Sequence, residues 1–317
     1  MDGRKETVLK AVACKNPERV PLLYAYSLEK SDIVNIPVVN HFLPGGFSEW
    51  GFEWESLNDQ LLMGQPKDTV IKSYTDLDRF IPPDPASPER FAKTTEIMTK
   101  YGSDRYYKAS FILSGFAIVT MLRGFSNVME DFYEDPEGLN KLCDIVFGFE
   151  NEVIRLSAGR GFSSIGLADD WGTQDALFIS PLMWRRFFKQ RYREQIDLAH
   201  SLGMQVYLHS CGYIFDIIGD LIEIGLDIIN PGQPDINNVA EMGKSFGGKI
   251  CFSCPPSYQT TGISGSDDEL AEQIRLYRRC LGKNGGLIGI IPEDSASLGI
   301  TPEKFELMEK IFMESSE

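Results

Sequence analysis

The sequence predicts an α/β protein closed as a (β/α)8 TIM barrel with an irregular N-terminal excursion, and three observations lead there. From about residue 89 onward, short apolar runs alternate with helical stretches across short connections, the pattern of βαβ units and a parallel sheet. The runs are brief and rich in β-branched residues, as strands buried on both faces are. The chain has 317 residues, a length one barrel fills, and it lacks the G-x-G-x-x-G turn that an open doubly wound sheet displays after an early strand.

Taken in order, residues 2 to 14 read as a short helix, and LLYAY at 22 to 26 as a strand behind Pro17 and Pro21. The stretch from 27 to about 88 is irregular, yet GGFSEWGFEWES carries too many aromatics for a disordered linker. We expect 1 to 88 to form an excursion packed on the barrel, within a single domain spanning 1 to 317. A helix near 88 to 101 precedes the strand 106 to 113, and helices follow through 124 and around 126 to 133. Asp135 and Pro136 open a long helix to about 158, by a capping side chain and a first-turn proline. SSIGLA (163 to 168) is a strand, and Ser180 and Pro181 start a helix that ends near Gly203. Strands are then expected at 204 to 210, 226 to 230, 249 to 253 and 286 to 291, with helices between them. A closing helix capped by Thr301 and Pro302 is expected to follow.

Composition narrows the function. Lys and Arg total 31 against 46 Asp and Glu, a formal net charge of −15, and such a field repels phosphate backbones and anionic bilayers. Nucleic acid and membrane are therefore not expected partners; a small-molecule substrate is. No apolar run approaches the roughly 20 residues that span a bilayer. The amino terminus has no secretory-type apolar stretch, and the six cysteines show no disulfide framework. The expected location is the cytoplasm, with reduced thiols.

In a barrel the chemistry gathers at the carboxyl ends of the strands. Those ends carry Asp169-Asp170-Trp171, His209-Ser210-Cys211, Asn230-Pro231-Gly232-Gln233, Cys251-Phe252-Ser253-Cys254 and Pro292-Glu293-Asp294. His209 and Cys211 are two apart, so an extended backbone points both to one face. Imidazole and thiolate are natural zinc donors, with Cys251 or Cys254 within reach as a third. The other reading has His209 bonded to a backbone group and the cysteines packing. Of the adjacent Asp169 and Asp170 only one easily faces inward, to bind a cation or move protons, while its neighbour caps a helix or loop. Gln233, Glu293 and Trp171 are candidate substrate contacts, and the Trp50 to Trp54 segment is a roof over either substrate or barrel. His41 carries no supporting signal.

At these motifs the chain resembles the uroporphyrinogen decarboxylase superfamily. The resemblance is carried by DLDRFIPPDPASPERF, LADDWGTQDALFISPLMWRRFFKQRY, AHSLGMQVYLHSCG, GLDIINPGQP and GITPEKF. It implies a (β/α)8 barrel, often a homodimer among the decarboxylases. True decarboxylases of the family are similar in fold but carry an arginine-rich amino-terminal motif, and VPLLYAYSLEKSD has none. The methyltransferase branch looks closer, because His209 and Cys211 match its zinc-binding H-x-C. In that branch the last zinc cysteine usually follows the final strand, where Pro292-Glu293-Asp294 stands here. Either an oxygen ligand replaces sulfur, Cys251 or Cys254 supplies it, or the metal is lost.

The resemblance thus implies a zinc-dependent methyltransferase that moves a methyl group between a small methylated or methoxylated donor and a corrinoid carried on a partner protein, and the acidic surface and aromatic excursion fit an uncharged donor better than a porphyrin. The alternative is a cofactor-free decarboxylase of a tetrapyrrole or other carboxylic acid, which needs cationic side chains, with Arg105 and Arg123 the candidates. A third possibility is a corrinoid or tetrapyrrole binder on a barrel without activity.

Overall fold

The computed structural model describes residues 3–39, 46–55, 65–257, 259–293 and 299–314. One sheet holds eight strands: β1 (Leu22–Tyr24), β2 (Ile33–Val39), β3 (Tyr106–Phe111), β4 (Ser164–Ala168), β5 (Gln205–Ser210), β6 (Ile228–Pro231), β7 (Cys251–Cys254) and β8 (Leu287–Ile291). Every pairing is parallel, and the order runs from β1 through β8, β7, β6, β5, β4 and β3 to β2. The two ends of that order are then drawn together. The Asp32 amide donates to the Leu22 carbonyl at 2.9 Å, and its carboxylate accepts from the Leu22 amide at 2.8 Å. The Ser31 hydroxyl accepts from the Tyr24 amide at 3.0 Å, and Arg19 grips Asp32 through two contacts of 2.6 and 2.7 Å. Eight parallel strands curled in this way, with helices outside, make the (β/α)8 barrel.

One barrel strand lies inside the stretch expected to be irregular. In β2, IVNIPVV, Pro37 has no amide to give the ladder, and the register against β3 shifts between Pro37 and Val39. That interruption hides the strand from a pattern search. Residues 1 to 88 thus contribute β1 and β2 to the barrel, and the aromatic excursion begins after β2. Within it Trp50, Phe52 and Trp54 are buried. Trp50 stacks over Phe80 and meets the edge of Phe149 at 5.0 Å, so this segment packs on the helix Pro136–Ser157. His41 and Asp294 lie outside the described residues.

Two of the expected helix caps form, and the one expected at Thr301 does not. Asp135 accepts from the Gly138 amide at 2.8 Å and Ser180 from the Met183 amide at 3.3 Å, each satisfying a first-turn donor that the helix leaves open. Thr301 and Pro302 begin the last helix without a side-chain cap. The first helix, Arg4–Val12, closes the amino-terminal end of the barrel. Its Val8, Ala11 and Val12 pack with Leu23, Ile33, Tyr106, Ile228 and Ile288, while Arg4 donates to main-chain carbonyls of the β1–β2 turn. The helix thus covers the end of the barrel opposite the carboxyl ends of the strands. Among the described residues no helix is long and apolar enough to cross a membrane.

Candidate metal centre

Side-chain parity along the strands sorts the candidates. In β5, Val206 and Leu208 pack into the helix layer, whereas Tyr207 faces the barrel interior. By the two-residue period of a strand, His209 and Cys211 continue the inward row. In β4, Ile165 and Leu167 face the helices and Gly166 faces in against Lys108. Asp170 therefore turns inward and Asp169 outward. Because β4 and β5 are paired, with Ala168 opposite His209, the three inward groups meet.

Asp170, His209 and Cys211 form the group of possible metal ligands found among the described residues, their ligand atoms lying within 4.8 Å of one another. Cys211 Sγ is 3.4 Å from His209 Nε2, and Asp170 Oδ1 is 3.7 Å from the same nitrogen. Tetrahedral zinc with Zn–S near 2.3 Å and Zn–N near 2.05 Å separates its donors by roughly 3.5 Å, so the residues fit such an ion. Burial first, and then the Asp170 carboxylate, push the Cys211 thiol up to about 12. A nearby cation is what would turn it into a thiolate ligand.

Surrounding bonds orient these donors. His209 Nδ1 lies 2.6 Å from Asn230 Oδ1, and Asn230 Nδ2 donates to the Ser253 carbonyl at 2.6 Å. Since a carbonyl only accepts, the Asn230 amide is fixed with its oxygen toward the ring. Nδ1 then carries the proton, and the lone pair of Nε2 points to Cys211 and Asp170. Asp170 also accepts from the Cys211 amide at 2.6 Å, and Gln233 accepts from the Gly212 amide at 2.9 Å. Gly212 sits at φ 82°, and a Cβ there would lie 2.0 Å from the Gly172 carbonyl oxygen. At Gly232 a Cβ would stand 2.9 Å from Cys211 Sγ and 3.0 Å from His209 Cε1. A side chain at this position would crowd both donors.

The other expected site residues go elsewhere. Asp169 is fully buried, accepting from the Phe116 and Ala117 amides at 2.8 Å each and from the Tyr192 hydroxyl. Burial raises its carboxyl well above the usual range, and its contacts tie β4 to the helix Gly115–Arg123. Trp171, expected to touch substrate, is fully buried; it stacks on Phe116 at 4.5 Å and donates to Tyr192 at 3.0 Å. Glu293 accepts from the Tyr26 and Ser27 amides at 2.9 and 2.7 Å, joining the loops after β1 and β8. Gln233 holds the Cys211 turn. Of the two cysteines on β7, Cys251 faces the plugged end with Val8 and Tyr106, and Cys254 faces the helix layer. Neither joins the triad, because strand parity turns Cys254 outward and Cys251 lies too deep. All six cysteines carry free thiols.

Arg105 and Arg123 do not ring the mouth. Arg105 donates to the Ser31 and Glu29 carbonyls at the amino-terminal end, and Arg123 pairs with Asp131 at 2.8 Å. The sequence reading missed Asn230 and Gly232, which stand in a segment it had marked. It also missed Lys108, whose signal is a single charged residue at an inward position of the apolar run YYKASFIL.

Against known proteins, the family model described as Uroporphyrinogen decarboxylase (URO-D) matches residues 64–251, more than half of the chain. No curated protein matches. Among solved structures, a methyltransferase from Methanosarcina mazei is similar with a TM-score of 0.75 at 14% identity, covering 98% of each chain. A D-psicose 3-epimerase reaches a TM-score of 0.45 at 10% identity, over 90% of this chain and 86% of that one. A B12-independent methionine synthase from Shewanella sp. W3-18-1 reaches 0.43 at 13% identity, over 70% of this chain and 65% of that one. At these identities the likeness is one of fold.

Proposed function

Because this chain belongs to the uroporphyrinogen decarboxylase family, we propose that it is a methyltransferase of that family, holding zinc through Asp170, His209 and Cys211. It moves a methyl group from a small methylated or methoxylated donor to a corrinoid carried on a separate protein. The observation that carries this reading is the inward triad, with donor separations of 3.4 and 3.7 Å around one nitrogen. Its third donor is a carboxylate from the end of β4 in place of a thiolate after the last strand. The whole-length likeness to a methyltransferase fold supports the same branch.

When bound, zinc supplies Lewis acidity toward the heteroatom that bears the methyl group, making that atom a better leaving group. The chain's own residues prepare the place. Asn230 keeps the proton of His209 on Nδ1, so Nε2 remains a donor. Gln233 and the Gly172–Gly212 contact hold the Cys211 turn against the β4 loop. Gly232 keeps a side chain from crowding Cys211 and His209. The decarboxylase alternative loses its cationic ring, since Arg105 and Arg123 are committed to other partners.

Metal analysis tests the proposal. About one zinc per chain is expected in the purified protein, with occupancy lost in His209→Ala and Cys211→Ala variants that retain their helical content. A protein that takes up no zinc, or one that holds it equally well without His209, overturns the reading.

A further inference from the structure

Lys108 lies on β3, buried at 6% exposure inside the barrel. Its Nζ stands 3.3 Å from the centroid of the Tyr207 ring, and among the described residues it makes no hydrogen bond or ion pair. The chain is shaped to admit it. A Cβ on Gly166 would lie 2.9 Å from Lys108 Cδ, so the glycine on β4 opens the path by which the lysine crosses to β5. Burial pushes its ammonium down to about 7. An ammonium in a low-dielectric interior without a counter-charge lacks a partner, and a single aromatic face replaces only part of its hydration.

The same wall of the barrel holds other unpartnered atoms. Asn35 is the register neighbour of Lys108, and Ser110 lies two residues along β3. Both share the inward face, and Asn35 Oδ1 and Ser110 Oγ are buried without a hydrogen-bond partner. The layer connects to the triad through side chains. Tyr207 donates to Ser253 Oγ at 3.2 Å, the Ser253 carbonyl accepts from Asn230, and Asn230 holds His209. Tyr207 is two residues before His209 on β5, so the lysine layer lies roughly 7 Å deeper, two strand residues at about 3.3 Å each.

We propose that Lys108 is a substrate-binding residue that receives a carboxylate, so that the small molecule taken by this barrel is a monocarboxylic acid, its acid end seated below the Asp170–His209–Cys211 triad. A carboxylate there accepts from the ammonium, with the Ser110 hydroxyl available to its second oxygen. One buried cation matches one negative charge and leaves a polycarboxylate unmatched. The inference takes the barrel mouth as the substrate site, as the function above does, but does not depend on the metal. It replaces the uncharged donor expected from the acidic surface, because the local charge inside the barrel, not the global one, meets the ligand.

Formate and its neutral counterpart formamide test this on the full chain. Chelator-treated protein, carrying lysine labelled with 13C at Cε, is titrated with each. The Lys108 signal is identified by its loss in Lys108→Met, or in Lys108→Arg if the methionine variant does not fold. A saturable shift of that signal with formate, none with formamide, and at least tenfold weaker calorimetric formate binding in Lys108→Met are expected. An absent or non-saturable shift overturns the proposal, as does an equal response to formamide or undiminished formate binding in the variant. Zinc content of the untreated protein is measured separately. Protein that takes up no zinc but shows the formate shift sinks the methyl-transfer reading and leaves this one standing.

Discussion

His209 and Asn230 meet at 2.6 Å, Nδ1 to Oδ1, across the pair of strands β5 and β6. The bond selects which ring nitrogen faces the triad, and it does so with a neutral amide. Removing it frees the ring to rotate and to change tautomer. Asn230→Ala is expected to weaken zinc binding by roughly 10–100-fold, the range for lost supporting partners of ligand histidines. Competition against a chelating dye measures this, and unchanged affinity shows that the bond has no such role.

The adjacent aspartates separate by role. Asp170→Asn retains an oxygen for the Cys211 amide but removes the charge facing His209, so zinc affinity should fall at least about tenfold with little change in thermal midpoint. Asp169→Asn leaves zinc content intact and sets an amide group against donors of the Gly115–Arg123 helix, destabilising by about 1–3 kcal/mol. Thermal unfolding and metal analysis on both variants give opposite patterns. The same pattern in both refutes the assignment.

Gly232 has room for no side chain without crowding two of the donors. Gly232→Ala is therefore expected to fold with a near-native thermal midpoint and lose most of its zinc affinity. Full zinc occupancy in this variant shows that a side chain there does not disturb the donors.

Stability should respond to pH through Glu150, which is buried between the Gly115 amide at 2.6 Å and Gln195 at 2.7 Å. Burial, opposed by those two hydrogen bonds, raises its carboxyl from 4.5 to about 7. Between these values the folded chain keeps a proton that the unfolded chain has released. Stability from this group is therefore fully present below about 4.5, declines as pH rises to about 7, and is level above, a loss on the order of 3 kcal/mol. Asp169 is shifted in the same direction. Glu150→Gln removes the Glu150 contribution, so urea midpoints at about pH 5 and pH 7.5 should differ less in the variant than in the parent. An identical difference excludes Glu150 as a source.

Much of the barrel was legible because its signals are local. Alternation of apolar runs with helices, the caps Asp135 and Ser180, and the stop at Gly203 act within a few residues. β2 was not legible, since Pro37 breaks the run that would mark it, and its place is decided by pairing with β3 some seventy residues later. Asn230 and Lys108 escaped for a related reason. An asparagine at a strand end and a lysine within an apolar run gain meaning only from what stands across the barrel.

The amino-acid order alone settled that His209 and Cys211 share a face, because a strand repeats every two residues. It also led to the expectations that chemistry gathers at the strand ends and that phosphate-rich partners are disfavoured by charge. Which third group joins them was decided by tertiary structure. The pairing of β4 with β5 brings Asp170 inward beside the imidazole, and the same parity on β7 turns Cys254 toward the helices. Convergence at a barrel mouth is a property of neighbouring strands, set by hydrogen-bond register between segments distant in the chain. No periodicity within one segment carries that information.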